Sequence, residues 1–137
     1  SKTEFYDVVY PVIEKWLSAD YEYIADLNIE GIARFSELMG VEAEFIRSSE
    51  MSTSGKRTEK LFRICDDCGA SVYYTSVGAA QYLEDERAIF DNHSIEIEYQ
   101  NWIHPKYKQY GSHFVSHLSI IDSLMNIGPK ETKKLIL

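Results

Sequence analysis

The amino-terminal part of the chain contains two segments whose apolar positions recur at helical spacing. Apolar side chains three and four residues apart predict an amphipathic helix over residues 4–17 and a second helix over residues 21–39. Pro11 falls inside the first segment and predicts a kink or a late start. Gly40 suits the left-handed residue that follows many helices. The two segments are therefore predicted to form an αα-hairpin.

Beyond Gly40 the pattern changes to short apolar runs that alternate with helical segments. Strands are predicted over residues 41–46, 71–75 and 95–99. Helices are predicted between them, over residues 56–68, 78–83 and 86–90. A helix between successive strands implies parallel pairing with right-handed crossovers. This part of the chain is therefore predicted to form a small parallel β-sheet.

The carboxyl-terminal part begins with an irregular, aromatic-rich segment over residues 101–110. A helix with one apolar face is predicted over residues 112–127, the Gly-Pro pair at 128–129 predicts its end, and residues 130–137 add one further turn. The predicted fold class is α/β, with one domain over residues 1–137. In that domain, a small parallel β-sheet with βαβ crossovers follows the αα-hairpin, and a C-terminal helix closes the fold.

The amino-acid composition of the chain limits the kinds of molecule that it is expected to bind. The chain has 22 acidic and 14 basic residues and a net charge of −8, which argues against binding to nucleic-acid phosphates or to anionic lipid. Hydrophobic residues make up 45% of the chain, which argues against intrinsic disorder. No apolar run approaches the roughly 20 residues that span a bilayer, and no signal-peptide pattern opens the sequence. We therefore expect a cytoplasmic protein without membrane insertion.

Cys65 and Cys68 form a CxxC pair, which suggests either a redox centre or half of a zinc site. A redox pair usually lies at a helix N-terminus, whose dipole lowers the thiol pKa, whereas this pair closes a predicted helix just before Gly69. A zinc site needs a second pair of ligands at metal spacing, and the sequence has none. The pattern favours a structural role for both cysteines.

His113 and His117 are four residues apart on a predicted helix, a spacing at which two imidazoles can bind one metal ion. No glutamate lies between them, and the sequence offers no clear third ligand. We expect neither a bound metal nor a cofactor.

Several segments of the chain resemble the WbqC-like protein family in order and spacing. These segments are residues 61–65, followed by Gly69, Ala70 and Tyr73; residues 80–83; residues 95–100; residues 104–109; and Phe114 followed by residues 118–128. The resemblance covers nearly the whole chain. Its last segment is the most specific, because it mixes polar and apolar positions that helical patterning alone would not determine.

The resemblance implies a role in bacterial surface-polysaccharide biosynthesis, the pathway class of O-antigen and lipopolysaccharide. The implied chemistry is modification of an activated amino sugar, with acyl or aminoacyl transfer as one form. The chain departs from the family where Thr75-Ser76-Val77-Gly78 replaces a Ser-Gly-Pro-like turn. Family members also have a longer amino-terminal segment, so we expect this chain to be a fragment that lacks it.

Candidate ligand-binding residues follow the predicted strands, because ligands of parallel α/β sheets bind beyond the carboxyl ends of the strands. The short polar segments at those ends supply Ser48, Ser49, Thr75 and Ser76. After the first predicted strand, Lys56, Arg57 and Thr58 enter a helix, where free backbone N–H groups and two cations suit an anion. The alternative is an ordinary helix start with solvated charges.

A second group of candidates lies beyond the third predicted strand. His104 is a candidate catalytic base at neutral pH, and Trp102 or Tyr107 could stack on a sugar or base, with Gln109 nearby. The alternative is a loop held in place by buried aromatic side chains. Asp122 and Asn126, four residues apart, are expected to cap or bond neighbouring loops.

The sequence leaves two hypotheses about the function open. The first is an enzyme, or the ligand-binding part of one, that acts on a nucleotide sugar or another phosphorylated small molecule. The second is a non-catalytic scaffold for other polysaccharide-assembly proteins. A three-stranded parallel sheet leaves unpaired edges, so we also expect the chain either to self-associate or to expose an apolar face.

Overall fold

The computed structural model describes residues 3–137, which are divided between two compact units. We call residues 3–45 and 104–137 the helical unit, and Ile46–Ile103 the α/β unit. The helical unit contains α1 (Tyr6–Leu17), α2 (Ile24–Met39) and α6 (Ile120–Ile136). The α/β unit contains α3 (Arg57–Asp67), β1 (Val72–Ser76), a 3-10 turn (Val77–Ala79), α4 (Ala80–Asp85), α5 (Ala88–Asp91) and β2 (Glu96–Gln100).

The three helices of the helical unit pack around one apolar core. Its buried residues lie within the three predicted helices and are Val9, Phe35, Met39 and Leu124. The Trp16 ring lies edge-on to Phe35, with ring centroids 5.4 Å apart, and its Nε1 donates to the Leu27 carbonyl over 2.8 Å. Gly31 makes room for this ring, because a Cβ there would lie 2.7 Å from Trp16 Cζ2. The predicted pair of amino-terminal helices is confirmed.

The predicted start of the last helix is wrong, whereas its predicted end at Gly128 is confirmed. Residues 112–119 are not helical, and α6 begins at Ile120 after Ser119, whose Oγ accepts from the Ile121 N–H over 3.3 Å. Gly128, with φ +82° and ψ 168°, ends the first helical stretch of α6, and a second helical stretch follows it to Ile136. Proline is tolerated at position 129 because it opens a new helical stretch, where its missing N–H has no carbonyl to bond.

The α/β unit contains a two-stranded parallel sheet. Val72 pairs with Glu96 at one end and Ser76 pairs with Gln100 at the other, and helices α4 and α5 form the connection between the strands. Phe90 and Leu83 are fully buried beneath the sheet, and further buried residues are Cys65, Ala79, Ile95 and Ile97. The predicted β-helix-β arrangement of these two strands is confirmed.

The strand predicted over residues 41–46 is wrong, since residues 41–47 have no regular secondary structure. Phe45 and Ile46 are about half exposed, at 50% and 54%, so this short apolar run covers no sheet. A strand is stable only when a neighbouring strand satisfies its backbone groups. The parallel sheet described within residues 3–137 therefore has two strands rather than three.

Candidate functional site

The structure divides the predicted site residues between the two units. The α/β unit contains Ser48, Ser49, Lys56, Arg57, Thr58, Thr75, Ser76 and Trp102. The helical unit contains His104, Tyr107 and Gln109. Each group is described within its own unit.

The serines after the first predicted strand do not have the expected setting. Ser48 and Ser49 lie exposed in a turn closed by a 2.9 Å hydrogen bond from the Glu50 N–H to the Arg47 carbonyl. Because no strand precedes this turn, their placement at a strand end was wrong. Thr75 and Ser76 do lie at the carboxyl end of β1, with Thr75 half-buried and Ser76 exposed.

The start of α3 has the features expected of an anion site. Lys56 occupies the N-cap position without a side-chain cap, so the first N–H groups of the helix have no partner from that side chain. Arg57 has a φ of +51°, a strained conformation for a residue with a side chain. Thr58 is fully buried, and its Oγ1 has no hydrogen-bond partner within residues 3–137. Unmatched donors at a helix N-terminus favour negative charge.

A pocket of about 470 Å³ adjoins this helix start and is lined by Arg57, Leu61 and Tyr82. Tyr82 lies on α4, which begins one short 3-10 turn beyond the carboxyl end of β1. The pocket therefore lies between α3 and α4. Tyr82, whose side chain is 44% exposed, was not among the residues predicted for the site. No motif in the sequence around Tyr82 indicated a binding role for it.

A second group in this unit holds α4 to β2. Tyr99 Oη donates to Glu84 Oε1 over 2.7 Å, and Arg87 Nη1 donates to the same oxygen over 3.1 Å. Burial, and then the hydrogen bond to Glu84, raise the pKa of Tyr99 to about 12. The Tyr99 hydroxyl therefore remains a donor at neutral pH and stabilises the sheet.

In the helical unit, the Asp122 carboxylate is surrounded by donors. Tyr107 Oη donates to Oδ2 over 2.8 Å, and Gln109 Nε2 donates to the same oxygen over 2.9 Å. Asn126 Nδ2 donates to Oδ1 over 3.1 Å. The pKa of Tyr107 is raised, mainly by burial, and the hydrogen bond to Asp122 adds to the shift. These contacts connect residues 107–109 to the first turns of α6.

The same network orders the loop that precedes α6. The Gln109 side chain bonds both backbone groups of Val115. Its Nε2 donates to the Val115 carbonyl over 2.8 Å, and its Oε1 accepts from the Val115 N–H over 2.7 Å. Asn126 Oδ1 accepts from the Tyr110 N–H over 2.8 Å. The prediction that Asp122 and Asn126 bond neighbouring loops is confirmed. We call Tyr107, Gln109, Asp122 and Asn126 the polar network.

His104 lies in an aromatic cluster beside this network. Its Nε2 accepts a hydrogen bond from the His117 N–H over 3.1 Å, its Nδ1 is buried, and the two imidazole centroids are 4.7 Å apart. The Phe114 ring lies 6.0 Å from the His104 ring and 5.5 Å from that of Tyr107. The role of His104 as a catalytic base stays a prediction. Proton transfer at Nε2 would require its hydrogen bond to break first.

The histidine and cysteine pairs differ from metal and redox sites. His113 and His117 lie outside any helix, so their four-residue spacing does not place them on one helical face. Within residues 3–137, no three His, Cys, Asp or Glu side chains are grouped closely enough to hold a metal ion. Cys65 is buried in the core and Cys68 is exposed at the end of α3. Burial raises the pKa of the Cys65 thiol, which makes it a weaker nucleophile at neutral pH.

None of the helices described within residues 3–137 combines the length and the apolar character needed to span a bilayer.

The sequence was compared with known proteins. The profile of the WbqC-like protein family matches residues 1–134. The chain is similar to the uncharacterized protein Rv1507c of Mycobacterium tuberculosis, with 26% identity over 114 residues that cover 82% of this chain and 48% of the relative. The chain thus spans about half the length of the curated relative that it matches. No solved structure matches it significantly. Because the family profile matches residues 1–134, which is essentially the whole of this chain, the chain belongs to the WbqC-like protein family.

Proposed function

We propose that the pocket at the start of α3 binds the phosphate of an activated sugar, such as a nucleotide sugar, and that the chain acts in bacterial surface-polysaccharide biosynthesis. The observation that supports this most directly is the combination of Arg57 on the pocket wall with the uncapped start of α3. The class of ligand follows the role in polysaccharide assembly that the resemblance to the WbqC-like family implies.

The phosphate would be held by four kinds of donor. The first N–H groups of α3 point along the helix axis toward its start, where the helix dipole favours an anion. The guanidinium of Arg57 offers a planar pair of donors that match two phosphate oxygens. Lys56, exposed at the N-cap, adds a second positive charge. Thr58 Oγ1 is buried in the same turn without a partner within residues 3–137 and is a further donor.

The remainder of the ligand would contact the other wall of the pocket. Tyr82 presents an aromatic ring that is 44% exposed, and Leu61 is half-buried beside it. An aromatic face packs well against the C–H face of a sugar or against a nucleotide base. A volume of about 470 Å³ lies within the usual range for small-molecule sites.

Titration calorimetry with a panel of nucleotide sugars tests this proposal on the full chain. Arg57→Ala should weaken binding by about 10-fold to 150-fold, as expected for the loss of a charge-assisted hydrogen bond of about 1.5–3 kcal/mol. Arg57→Lys should recover part of the affinity, because it retains the charge but not the planar fork. Tyr82→Ala should also weaken binding, by removal of the stacking surface.

Arg63→Ala is the matched control, since Arg63 lies on the same helix and pairs only with the exposed Glu59 over 2.8 Å. It should bind the ligand as the wild type does. The proposal fails if the wild type binds none of the nucleotide sugars at millimolar concentration, or if Arg57→Ala binds as tightly as the wild type.

The scaffold alternative is favoured by the outer face of the sheet. Val72 and Tyr74 on β1 are 39% and 60% exposed, and each strand of the described sheet has one edge that no strand of residues 3–137 covers. Exposed strand edges are sites at which another chain can pair. If this face mediates self-association, Tyr74→Glu should convert the associated form to monomer in analytical ultracentrifugation. It should leave nucleotide-sugar binding unchanged.

A further inference from the structure

We infer that the hydrogen bond between His104 and His117 is a pH-dependent latch, which holds the loop before α6 at neutral pH and releases it when His104 is protonated. The loop consists of residues 111–119, which have no regular secondary structure. In the latch, His104 Nε2 accepts from the His117 N–H over 3.1 Å. The inference does not depend on the phosphate site proposed above, because all of these residues belong to the helical unit.

The geometry of the latch determines the protonation state that His104 needs. An imidazole nitrogen that accepts a hydrogen bond carries no proton, so the neutral ring of His104 has its proton on Nδ1. Protonation would place an N–H on Nε2, where it would face the N–H of His117, and two donors cannot bond each other. The latch therefore exists only while His104 is neutral. Histidine is the side chain whose charge ordinarily changes between about pH 5 and 8.

The backbone of His117 is held in an unfavourable conformation. Its φ is +60°, in the left-handed region that residues other than glycine and asparagine rarely adopt. The spacing of Phe114 and Leu118 favours a helix over the same residues. The observed conformation of the loop therefore opposes its local preferences and depends on tertiary contacts. When the latch is lost, His117 should leave the left-handed region.

The groups around His104 favour separation of the two histidines at low pH. The His117 ring, 4.7 Å from that of His104, titrates in the same pH range, and two positive charges at this distance repel each other. The positive end of the α6 dipole adds to this repulsion, because the N-cap residue Ser119 lies two positions beyond His117.

The other titratable groups of this cluster are Tyr107 and Asp122. The Tyr107 ring lies 6.3 Å from that of His104, and its raised pKa keeps the hydroxyl protonated throughout the range in which histidine titrates. The Asp122 carboxylate accepts from Tyr107 and Gln109 through Oδ2. Neither group changes charge between about pH 5 and 8 by its ordinary titration, so the transition is assigned to the histidines.

The release should be confined to the part of the loop next to α6. Gln109 bonds both backbone groups of Val115, and an amide side chain does not titrate. Acidification should therefore release residues 116–119 and leave Val115 in place. The Val115 amide is thus an internal control for the His117 amide.

The test is two-dimensional ¹H–¹⁵N NMR of the full chain between about pH 7.5 and 5. The His117 amide signal should move in one transition, and its protection factor in hydrogen exchange should fall about tenfold. The amides of Val115 and of the buried Leu124 in α6 should keep their protection. Unchanged protection of His117 would overturn the inference. Loss of protection at Leu124 at the same pH would also overturn it, because the whole helical unit would then be unfolding.

Variants assign the transition to His104. His104→Gln retains an acceptor that does not titrate, so the His117 amide should stay protected at both pH values. His104→Phe keeps an aromatic ring without the acceptor, so this amide should be unprotected at both. His117→Asn keeps the backbone N–H and tolerates a positive φ, and should retain the transition.

The matched control is His113→Gln, since His113 is an exposed histidine of the same loop and should not affect the latch. It should show the same transition as the wild type. A transition that persists in His104→Gln, or one that disappears in His113→Gln or His117→Asn, would contradict the assignment. Protection of the His117 amide in folded His104→Phe would contradict it as well.

Discussion

The helical unit and the α/β unit satisfy the hydrogen-bonding groups of their backbone in different ways. In the helical unit, the loop before α6 is held mainly by side chains, such as Gln109, which bonds both backbone groups of Val115. In the α/β unit, the principal long-range backbone contacts are those of the β1–β2 ladder, and the core beneath it is centred on Phe90. One unit therefore depends on a few specific polar contacts, and the other depends on strand pairing and apolar burial.

This difference has a consequence for ligand binding. A pocket of the helical unit, lined in part by Gln109 and Asn126, has a wall whose amides are already bonded. The pocket of the α/β unit lies beside a helix start without a side-chain cap. A pre-bonded wall suits selection by shape and charge, whereas an open helix start suits a strongly charged phosphate.

The largest expected effect comes from the apolar core of the α/β unit. Phe90 is fully buried and stacks on Tyr73 with ring centroids 5.5 Å apart, so Phe90→Ala should destabilise the protein by about 3–5 kcal/mol. Hydrogen exchange should show the loss of protection first in the strands Val72–Ser76 and Glu96–Gln100. Ile103→Ala is the control, since Ile103 is 82% exposed and should change stability by less than about 0.5 kcal/mol.

In the helical unit, Gly128→Ala should destabilise by about 3 kcal/mol. A Cβ at this position would lie 2.5 Å from the Phe5 ring, and the φ of +82° is unfavourable for alanine. Gly40→Ala isolates the backbone contribution, since Gly40 has a φ of +63° but nothing within 4 Å of the added Cβ. It should cost only about 1–2 kcal/mol in urea unfolding. Equal effects of the two variants would show that Phe5 moves aside without cost.

Disruption of the polar network should have an intermediate effect on the free energy of unfolding. Asp122→Ala leaves the half-buried Tyr107 hydroxyl and Gln109 amide without their acceptor, and should destabilise by about 2 kcal/mol. Glu131→Ala on the same helix removes only an exposed ion pair with Lys134 and should cost less than about 1 kcal/mol. If Asp122→Ala matched this control, the side-chain contacts would not be what orders the loop.

The smallest effect concerns Tyr99 and appears as a pH dependence. Because the pKa of Tyr99 is raised from 10.0 to about 12, the folded protein keeps its proton in a range where the unfolded chain loses it. The stabilisation is complete below about pH 10 and is lost as the pH rises through about 12. Tyr99→Phe should lose the Glu84 hydrogen bond, about 1 kcal/mol at neutral pH, and should weaken the decline between those pH values. Tyr74→Phe, exposed on the neighbouring strand, is the control for urea unfolding at both pH values.

The apolar periodicity predicted the helices and strands that lie within each core. Residues of α1 and α2, and the two strands around Tyr73 and Ile97, occur close to where the pattern placed them. Periodicity succeeds here because some side chains of the pattern, such as Val9 and Phe35, are buried, although others, such as Ile24, are exposed. It failed at residues 41–46, because an apolar run forms a strand only if another strand is available to pair with it.

The sequence by itself determined the family, the helical and strand segments of both cores, and the start of α3 as the candidate phosphate site. Only the tertiary structure decided that residues 112–119 are irregular. Phe114 packs in an aromatic cluster, and the Val115 N–H donates to the Gln109 side chain instead of to a carbonyl of its own helix. The tertiary structure also decided that Asp122 joins Tyr107 and Gln109, residues 13 or more positions away, and that Tyr82 faces Arg57 across a pocket. Contacts between residues distant in sequence depend on how the packed elements meet, and local periodicity contains no information about that packing.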